Sequence, residues 1–416
     1  MAEATFPLAP YRVLDCTDQR GLFCGRLLAD LGADVIQVEP PRGNPARRIG
    51  PFYGENPHPE KSLFWWAYAA NKRSITLDLG TADGQALFRR LLQNAHFVLE
   101  SADPQEVHRL GLTWERVRAV NPGVILVSIS PFGREGAYAH WDGSDLLAWA
   151  VGGLLYLTGD PDRPPVRVSF PQAFLFASLS AAVGALVAHW YRLCTGQGQW
   201  VDTAAQASVA RLLSNATPMY DLNRERVKRE GVFRLGAGGR RGRMVWPCKD
   251  GYVAFLTGMG PAQGRSSRAL LAWMREEGMP APNLEALPWE SMLAQDLPPE
   301  TLQHIQEAFG AFFRTKSKGE LWEGALHRRL LLFPVSTPQD LEHFPQLEAR
   351  HFWTPIEHED LGIRLPYPGP AVASTHAPWG IRRRAPHLGE HNREVFLGEL
   401  GLSVQDLAAL RQAGIV

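Results

Sequence analysis

Short apolar runs alternate with amphipathic stretches through the first half of the chain. Residues 11–16 are apolar and short, as a buried strand is. From 21 to 31, Phe23, Leu27, Leu28 and Leu31 recur at helical spacing, and Gly32 stands where a glycine commonly ends a helix. Residues 34–38 are apolar again, which completes a strand–helix–strand unit expected to cross over right-handed. The alternation continues, with strands expected at 74–79, 97–100, 124–128 and 199–202. Helices are expected from the cap Thr81 through 92, from Thr113, and over 145–157, 174–192 and 204–213. Strands alternating with helices predict an α/β fold, a Rossmann-like, mostly parallel sheet covered on both faces.

The texture changes after about residue 215. GVFRLGAGGRRGRMVWPCKDGYVAFL contains a glycine-rich loop and then a hairpin with KDG at its turn, and a later helical stretch is interrupted by MPAPNLEALPWE. The expectation is a large domain over 1–215, a smaller α+β domain over 225–330, and a return to the large domain over 331–416. The segment around 334–336 belongs to that return, and a surface helix capped by Ser403 ends it.

Composition narrows the function. Lys and Arg number 43 and so do Asp and Glu, so no whole-protein field draws the chain to nucleic acid or anionic lipid, and an anionic ligand has to be held by local cations. The longest apolar run, 174–190, is interrupted by Ser178, Ser180, Gly184 and His189, short of the roughly 18–20 residues a membrane span needs, and reads as a buried helix. The opening residues lack a basic segment followed by a hydrophobic one, which predicts no secretory signal. The four cysteines, Cys16, Cys24, Cys194 and Cys248, are scattered, which predicts reduced thiols, a cytoplasmic protein and no metal site. The loop after the first strand, DCTDQRGLFCG, lacks GxGxxG, and the chain has no GxxxxGK[ST], HExxH or GxSxG. Dinucleotide, P-loop, zincin and α/β-hydrolase chemistry are thereby set aside.

Five phrases in order carry a resemblance. They are VLDCTDQRGLFCGRLLADLGADVIQVEPPRGNPAR, NKRSITLDL at 71–79, HRLGLTWERVRAVNPGVILVSISPFGREG at 108–136, TGQGQWVD at 195–202 and PHLGEHNREVFLGELG at 386–401. Together they resemble the class III (CaiB/BaiF-type) CoA-transferases along nearly the whole chain. The resemblance implies an interlocked dimer of large Rossmann-like and small domains, with coenzyme A or an acyl-CoA as substrate rather than a bound cofactor. It implies that Gln19, Arg20 and Gly21 line the CoA channel, that Asn71, Lys72 and Arg73 flank adenine and phosphates, and that Arg109 and, in the GNPAR phrase, Arg47 meet phosphate. Arginine forks suit that task because they make paired charged hydrogen bonds. The glycine-rich loop, with Gly236, Gly238, Gly239 and Arg240, resembles the mobile loop that covers the thioester. Arg240, Arg241 and Arg243 would then suit an acidic acyl chain. Phe64, Trp65, Trp66 and Tyr68 read as core packing, with an apolar acyl pocket as the alternative.

One position departs from the family. Its nucleophilic aspartate lies 21 residues before the Thr of TGxGQ, nine after a proline-rich turn and ten before a helix glycine. From Thr195, Pro165 and Gly184, all three spacings end on Phe174, and no acidic residue lies between Asp162 and Asp202. The family's racemase branch pairs that aspartate with a histidine whose position here is Ser144, ahead of Asp145. The expectation is a CoA-transferase subunit that lacks the nucleophile and works with a related chain supplying the aspartate. The phrases GENPHPEKSLFWWAYAANKR and FPQAFLFASLSAAVGAL look most like the aspartate-lacking subunit of a two-subunit member. The alternatives are a non-catalytic CoA-ester-binding protein, a divergent racemase or isomerase, and a homodimeric transferase with another nucleophile.

Overall fold

The computed structural model describes residues 6–54, 56–235, 241–292 and 297–416. The chain divides into two units, one comprising Met1–Leu155, Arg167–Glu225 and Pro345–Val416, the other Tyr156–Val166 and Arg226–Phe344.

The first unit is built on strands β1 (Arg12–Cys16), β2 (Asp34–Glu39), β3 (Arg73–Thr76), β4 (Phe97–Glu100), β5 (Ile125–Ser130) and β6 (Gln199–Ala204). They form one sheet in the order β3-β2-β1-β4-β5-β6, and every neighbouring pair is parallel. Helices α1 (Leu22–Asp30), α2 (Leu63–Ala69), α3 (Ala82–Leu92), α4 (Pro104–Leu110), α5 (Trp114–Val120), α6 (Asp145–Val151), α7 (Ala173–Thr195) and α8 (Ala205–Arg211) connect and cover it. Strands β3, β4 and β5 are buried at every residue, as a parallel sheet with both faces covered requires. Leu28, Val35, Phe97, Val127, Ala177 and Ala181 share one core. Ile36, Ile75, Leu91, Val98, Leu126 and Phe396 share another. The chain order reverses between β1 and β4, and in open α/β sheets the crevice beyond the strand ends at such a switch point is where ligands bind.

Local chemistry explains several element ends. The Thr81 hydroxyl accepts the Gly84 N–H at 3.1 Å to start α3. Gly32, at φ +100°, turns the chain out of α1. Helix α6 is shorter than the expected 145–157: Gly152 lies so close to Val209 that a Cβ would meet its Cγ1 at 2.5 Å, Gly153 turns at φ +90°, and 155–157 is a separate single turn. Helix α7 is longer than the apolar run suggested, 23 residues, and by length and composition alone it passes for a membrane span. Half of its most apolar 18-residue stretch is buried, with Ala173, Ala177, Ala181, Ala185 and Ala188 in the sheet core.

In the second unit, strands β7 (Phe233–Leu235) and β8 (Arg241–Arg243) pair antiparallel. Strands β9 (Val245–Cys248) and β10 (Gly251–Phe255) form the expected hairpin with Lys249 and Asp250 at its turn. Strand β11 (Leu332–Pro334) pairs antiparallel with β10, so residues 332–334 belong to this unit and the return to the first unit begins at Pro345 rather than 331. Trp246, Phe255, Trp273, Trp289, Phe309 and Phe313 make its core.

Four histidines of the first unit act as hydrogen-bond acceptors or partners through one ring nitrogen. His96 accepts the Arg12 N–H at 3.0 Å, His391 accepts the Ser74 N–H at 3.2 Å, His189 meets Arg192 at 2.8 Å, and His358 meets the Tyr367 hydroxyl at 2.9 Å. Burial holds the pKa of each below its ordinary value. The folded state therefore binds fewer protons than the unfolded one near and below the ordinary histidine pKa of about 6.5, so stability falls as pH falls through that range. The urea midpoint is expected to be lower at pH 5.5 than at pH 7.5, and His391→Gln, which keeps an acceptor without the charge, is expected to reduce that difference.

Candidate functional site

The loop between β1 and α1 lies at the carboxyl end of the sheet. Its backbone is pinned at Asp15, whose Oδ1 accepts the Thr17 N–H at 3.0 Å and hydroxyl at 2.6 Å. Gly21 closes the turn, because a Cβ there would lie 2.6 Å from Thr17 Cγ2. Gln19 is exposed at the loop tip. The Arg20 guanidinium is held by Asp18, with Nη2 at 2.7 Å and Nε at 3.0 Å, and by Asp103 in the loop after β4 through Nη1. Burial works against that charge, but the two carboxylates outweigh it and raise the Arg20 pKa.

Two cavities adjoin the loop. The larger, about 380 Å³, is lined by Gln19, Arg20, Ser144, Asp145 and Phe174, with Ile49, Phe64, Phe170 and Leu175 supplying apolar walls. The second, about 310 Å³, lies beyond the ends of β1 to β4 and is lined by Cys16, Asp78, Ser101, Glu106 and Arg109 among others. Asp18, Arg20 and Asp103 line both. Asp145 accepts the N–H groups of Gln172 and Phe174, each at 3.1 Å, and so satisfies the first turn of α7, where the helix dipole favours an anion. The Ser144 hydroxyl accepts the Leu147 N–H at 3.4 Å and caps α6. Phe174 itself is 7% exposed and joins the core beneath α7.

The structure brings Gln19, Arg20, Ser144 and Phe174 to one cavity and Arg20 and Arg109 to the other, and it places Arg47, Asn71, Lys72 and Arg73 outside both. Lys72 is fully buried, and its ammonium donates to Asp15 Oδ2 at 2.7 Å, the Leu22 carbonyl at 2.9 Å and Gln37 Oε1 at 3.0 Å, so its three donors are all taken. Asn71, at φ +68°, bonds Asp30 and the Gly380 carbonyl and accepts from the backbone of Arg382 and Arg383. Arg73 pairs with Asp34, Glu394 and Glu399. Arg47 is fully buried between Glu39 and Glu60, 3.8 Å above the Trp65 ring. All four side chains are engaged by partners within the chain. Arg109 is half exposed and carries an ion pair with Glu106 at 2.9 Å.

The candidates Gly236, Gly238, Gly239 and Arg240 lie outside the described residues. Of the arginines after them, Arg241 pairs with Glu230 and stands over Phe233, and Arg243 donates to the Val245 carbonyl. Of the aromatic stretch, Phe64, Trp65 and Trp66 are core residues, and Phe64 also reaches the larger cavity. Sequence reasoning missed Asp18 and Asp103 as partners of Arg20. An acidic residue two positions before the arginine was the available signal for Asp18; Asp103 comes from a different loop, and nothing local points to it.

Residues 8–392 match CoA-transferase family III. The chain is 35% identical to succinyl-CoA:(R)-benzylsuccinate CoA-transferase subunit BbsE of Thauera aromatica over 98% of its length and 97% of the relative's. It is 33% identical to succinyl-CoA–D-citramalate CoA-transferase of Chloroflexus aurantiacus over 99% of its length and 98% of the relative's. Among solved structures, a CAIB/BAIF family protein from Brucella suis superposes with a TM-score of 0.78 at 26% identity, covering 94% of this chain and 99% of that one.

The role of Lys72 can be separated from ligand binding. Lys72→Met leaves the buried Asp15 carboxylate without its cation and is expected to cost about 3–5 kcal/mol of stability, read as a lower urea midpoint with no ligand present. Arg109→Ala, on the surface, is expected to leave that midpoint within about 0.5 kcal/mol.

Proposed function

The chain belongs to CoA-transferase family III, and on that premise we propose that it is the subunit of a CoA-transferase that brings no nucleophile, working beside a related chain whose aspartate carries the acyl group. Phe174 carries the reading. Three spacings bring the family's aspartate to that position, and a benzyl side chain can neither attack a thioester nor hold an anhydride. Asp145 is the nearest substitute in the same cavity, but each of its oxygens already accepts a backbone N–H of the α7 terminus.

In the reaction proposed, the partner's carboxylate attacks the thioester carbonyl of a succinyl-CoA-like donor. The C–S bond breaks, and the CoA thiolate leaves a mixed anhydride behind. The thiolate then attacks the aspartyl carbonyl, releasing the donor acid and forming an aspartyl-CoA thioester. The acceptor carboxylate attacks the aspartyl thioester, expelling the CoA thiolate and forming a second anhydride; the thiolate then attacks the acceptor's carbonyl, and the aspartyl carboxylate leaves free. One difficult transfer becomes a series of easier ones. The donor is proposed from the relatives whose names begin with succinyl-CoA, and the acceptor is a carboxylic acid.

A second chain is supported by the outer face of α7. Leu179, Val183, Val187 and Trp190 form a stripe at helical spacing, each between 44% and 70% exposed. Leu147 and Val151 of α6 are exposed as well. A patch of this kind is costly in water and suits cover by a related subunit. The name of the relative from Thauera aromatica also describes a subunit.

The test is to assay CoA exchange from succinyl-CoA with the chain alone and after co-expression with a family member that has aspartate at the matching position. Exchange by the chain alone is expected to be lower by at least about 10⁴-fold. A hydroxylamine-sensitive acyl adduct is expected by mass spectrometry on the partner only. Turnover and an adduct from the isolated chain would overturn the reading and point to another nucleophile, Asp145 first.

A further inference from the structure

We propose that the Asp18–Arg20–Asp103 cluster closes this chain's own acyl-CoA channel, so that the working assembly holds coenzyme A at the partner's site alone. The inference rests on the subunit reading above and adds to it, because lacking a nucleophile does not by itself prevent a chain from binding the substrate.

The observation is where the cluster stands. An acyl-CoA bound at the switch point has to run from the cavity beyond the strand ends, which suits the nucleotide, to the cavity beside Phe174, which suits the thioester. The three side chains shared by both cavities are those of the cluster. Arg20 is 13% exposed at its side chain, and Nε and Nη2 are engaged by Asp18 while Nη1 is engaged by Asp103. Asp18 is fixed in turn, its Oδ1 accepting the Ser101 hydroxyl at 2.8 Å while its own N–H donates to Ser101 Oγ at 2.9 Å. From the other side, the Ser178 hydroxyl of α7 donates to the Arg20 carbonyl at 3.3 Å. Both the backbone and the guanidinium are therefore held across the route.

Charge argues the same way. The nucleotide end of coenzyme A carries three phosphate groups and needs uncompensated cations. The second cavity instead presents the carboxylates Asp18, Asp78, Asp103 and Glu106 against Arg20 and Arg109. Each of those arginines already has a carboxylate partner. The cations that lie deeper, Lys72 and Arg47, are taken up by buried ion pairs. A phosphate entering here meets like charge, which disfavours the wrong ligand strongly in a partly dry site.

The test is to titrate coenzyme A into the full-length chain by calorimetry, unmodified and with Asp18→Asn and Asp103→Asn together. The unmodified chain is expected to show no saturation at millimolar coenzyme A. The double variant, which frees Arg20 and removes two negative charges, is expected to bind at least about tenfold more tightly, with the gain shrinking as salt is added. Saturable binding of one coenzyme A per unmodified chain would overturn the proposal, as would a double variant that melts like the unmodified chain and gains nothing. If the double variant does not fold, the unmodified chain decides alone: saturation overturns the proposal and its absence upholds it. Turnover by the chain alone would sink this inference and the subunit reading together. Turnover that needs the partner, with coenzyme A also bound to this chain, would sink only this inference.

Discussion

Everything at the carboxyl end of the sheet depends on one buried charge pair. Lys72, the residue just before β3, reaches under α1 to Asp15 on β1 and also bonds Gln37 on β2 and the Leu22 carbonyl at the start of α1. Gln37 in turn donates to the carbonyls of Asp15 and Thr17. Three adjacent strands, a helix terminus and the cavity-lining loop are thereby tied to a single ammonium. Burial lowers the Lys72 pKa, and the Asp15 carboxylate pulls against that. Such a pair adds little net stability over an apolar substitute, but losing one member leaves the other stranded. It constrains sequence as well: α1 crosses the pair at Gly25, where a Cβ would lie 1.9 Å from Asp15 Oδ2.

A second buried pair extends the constraint to the far end of the chain. Arg47 bonds both oxygens of Glu39, the Glu60 carboxylate and the Pro386 carbonyl, while Trp65 lies flat beneath it and donates its own N–H to Pro386. The Ser74 hydroxyl donates to the same Glu39, and Glu60 receives the Leu388 N–H. Residues 386–392 are thus stitched onto β2 and β3, more than 300 positions away in sequence. The consequence for ligands follows directly. In an electrically balanced chain, the cations nearest the strand ends are already partnered by the carboxylates that build the sheet's edge.

That consequence marks where the sequence was legible and where it was not. The strand–helix alternation, the Thr81 cap, the Gly32 exit and the Lys249–Asp250 hairpin follow from local chemistry, and the structure has them where the pattern puts them. For Arg47, Lys72 and Arg73 a sequence displays a charge but not its partner, and the groups that engage them lie up to 339 positions away. The same limit applies to β11, a three-residue strand that forms on the edge of β10 and buries Leu332 in the core of its unit. Helix α2 was read through its aromatics as packing, which it is, but its start depends on the Ser62 hydroxyl accepting the Trp65 N–H, a cap that a run of aromatic residues obscures.

On the subunit reading proposed above, the surroundings of Phe174 explain how the site keeps its shape without a nucleophile. The first turn of α7 has N–H groups that need acceptors, and Asp145 fills that need from a different helix. A carboxylate at position 174 would add a second anion beside Asp145, at a cost to stability. Phenylalanine removes that repulsion and joins the alanine face of α7 in the core. Stability and transfer chemistry therefore make opposite demands on this one position. On that reading, a chain relieved of the chemistry by a partner settles the conflict in favour of packing, with Phe174 in the core beneath α7.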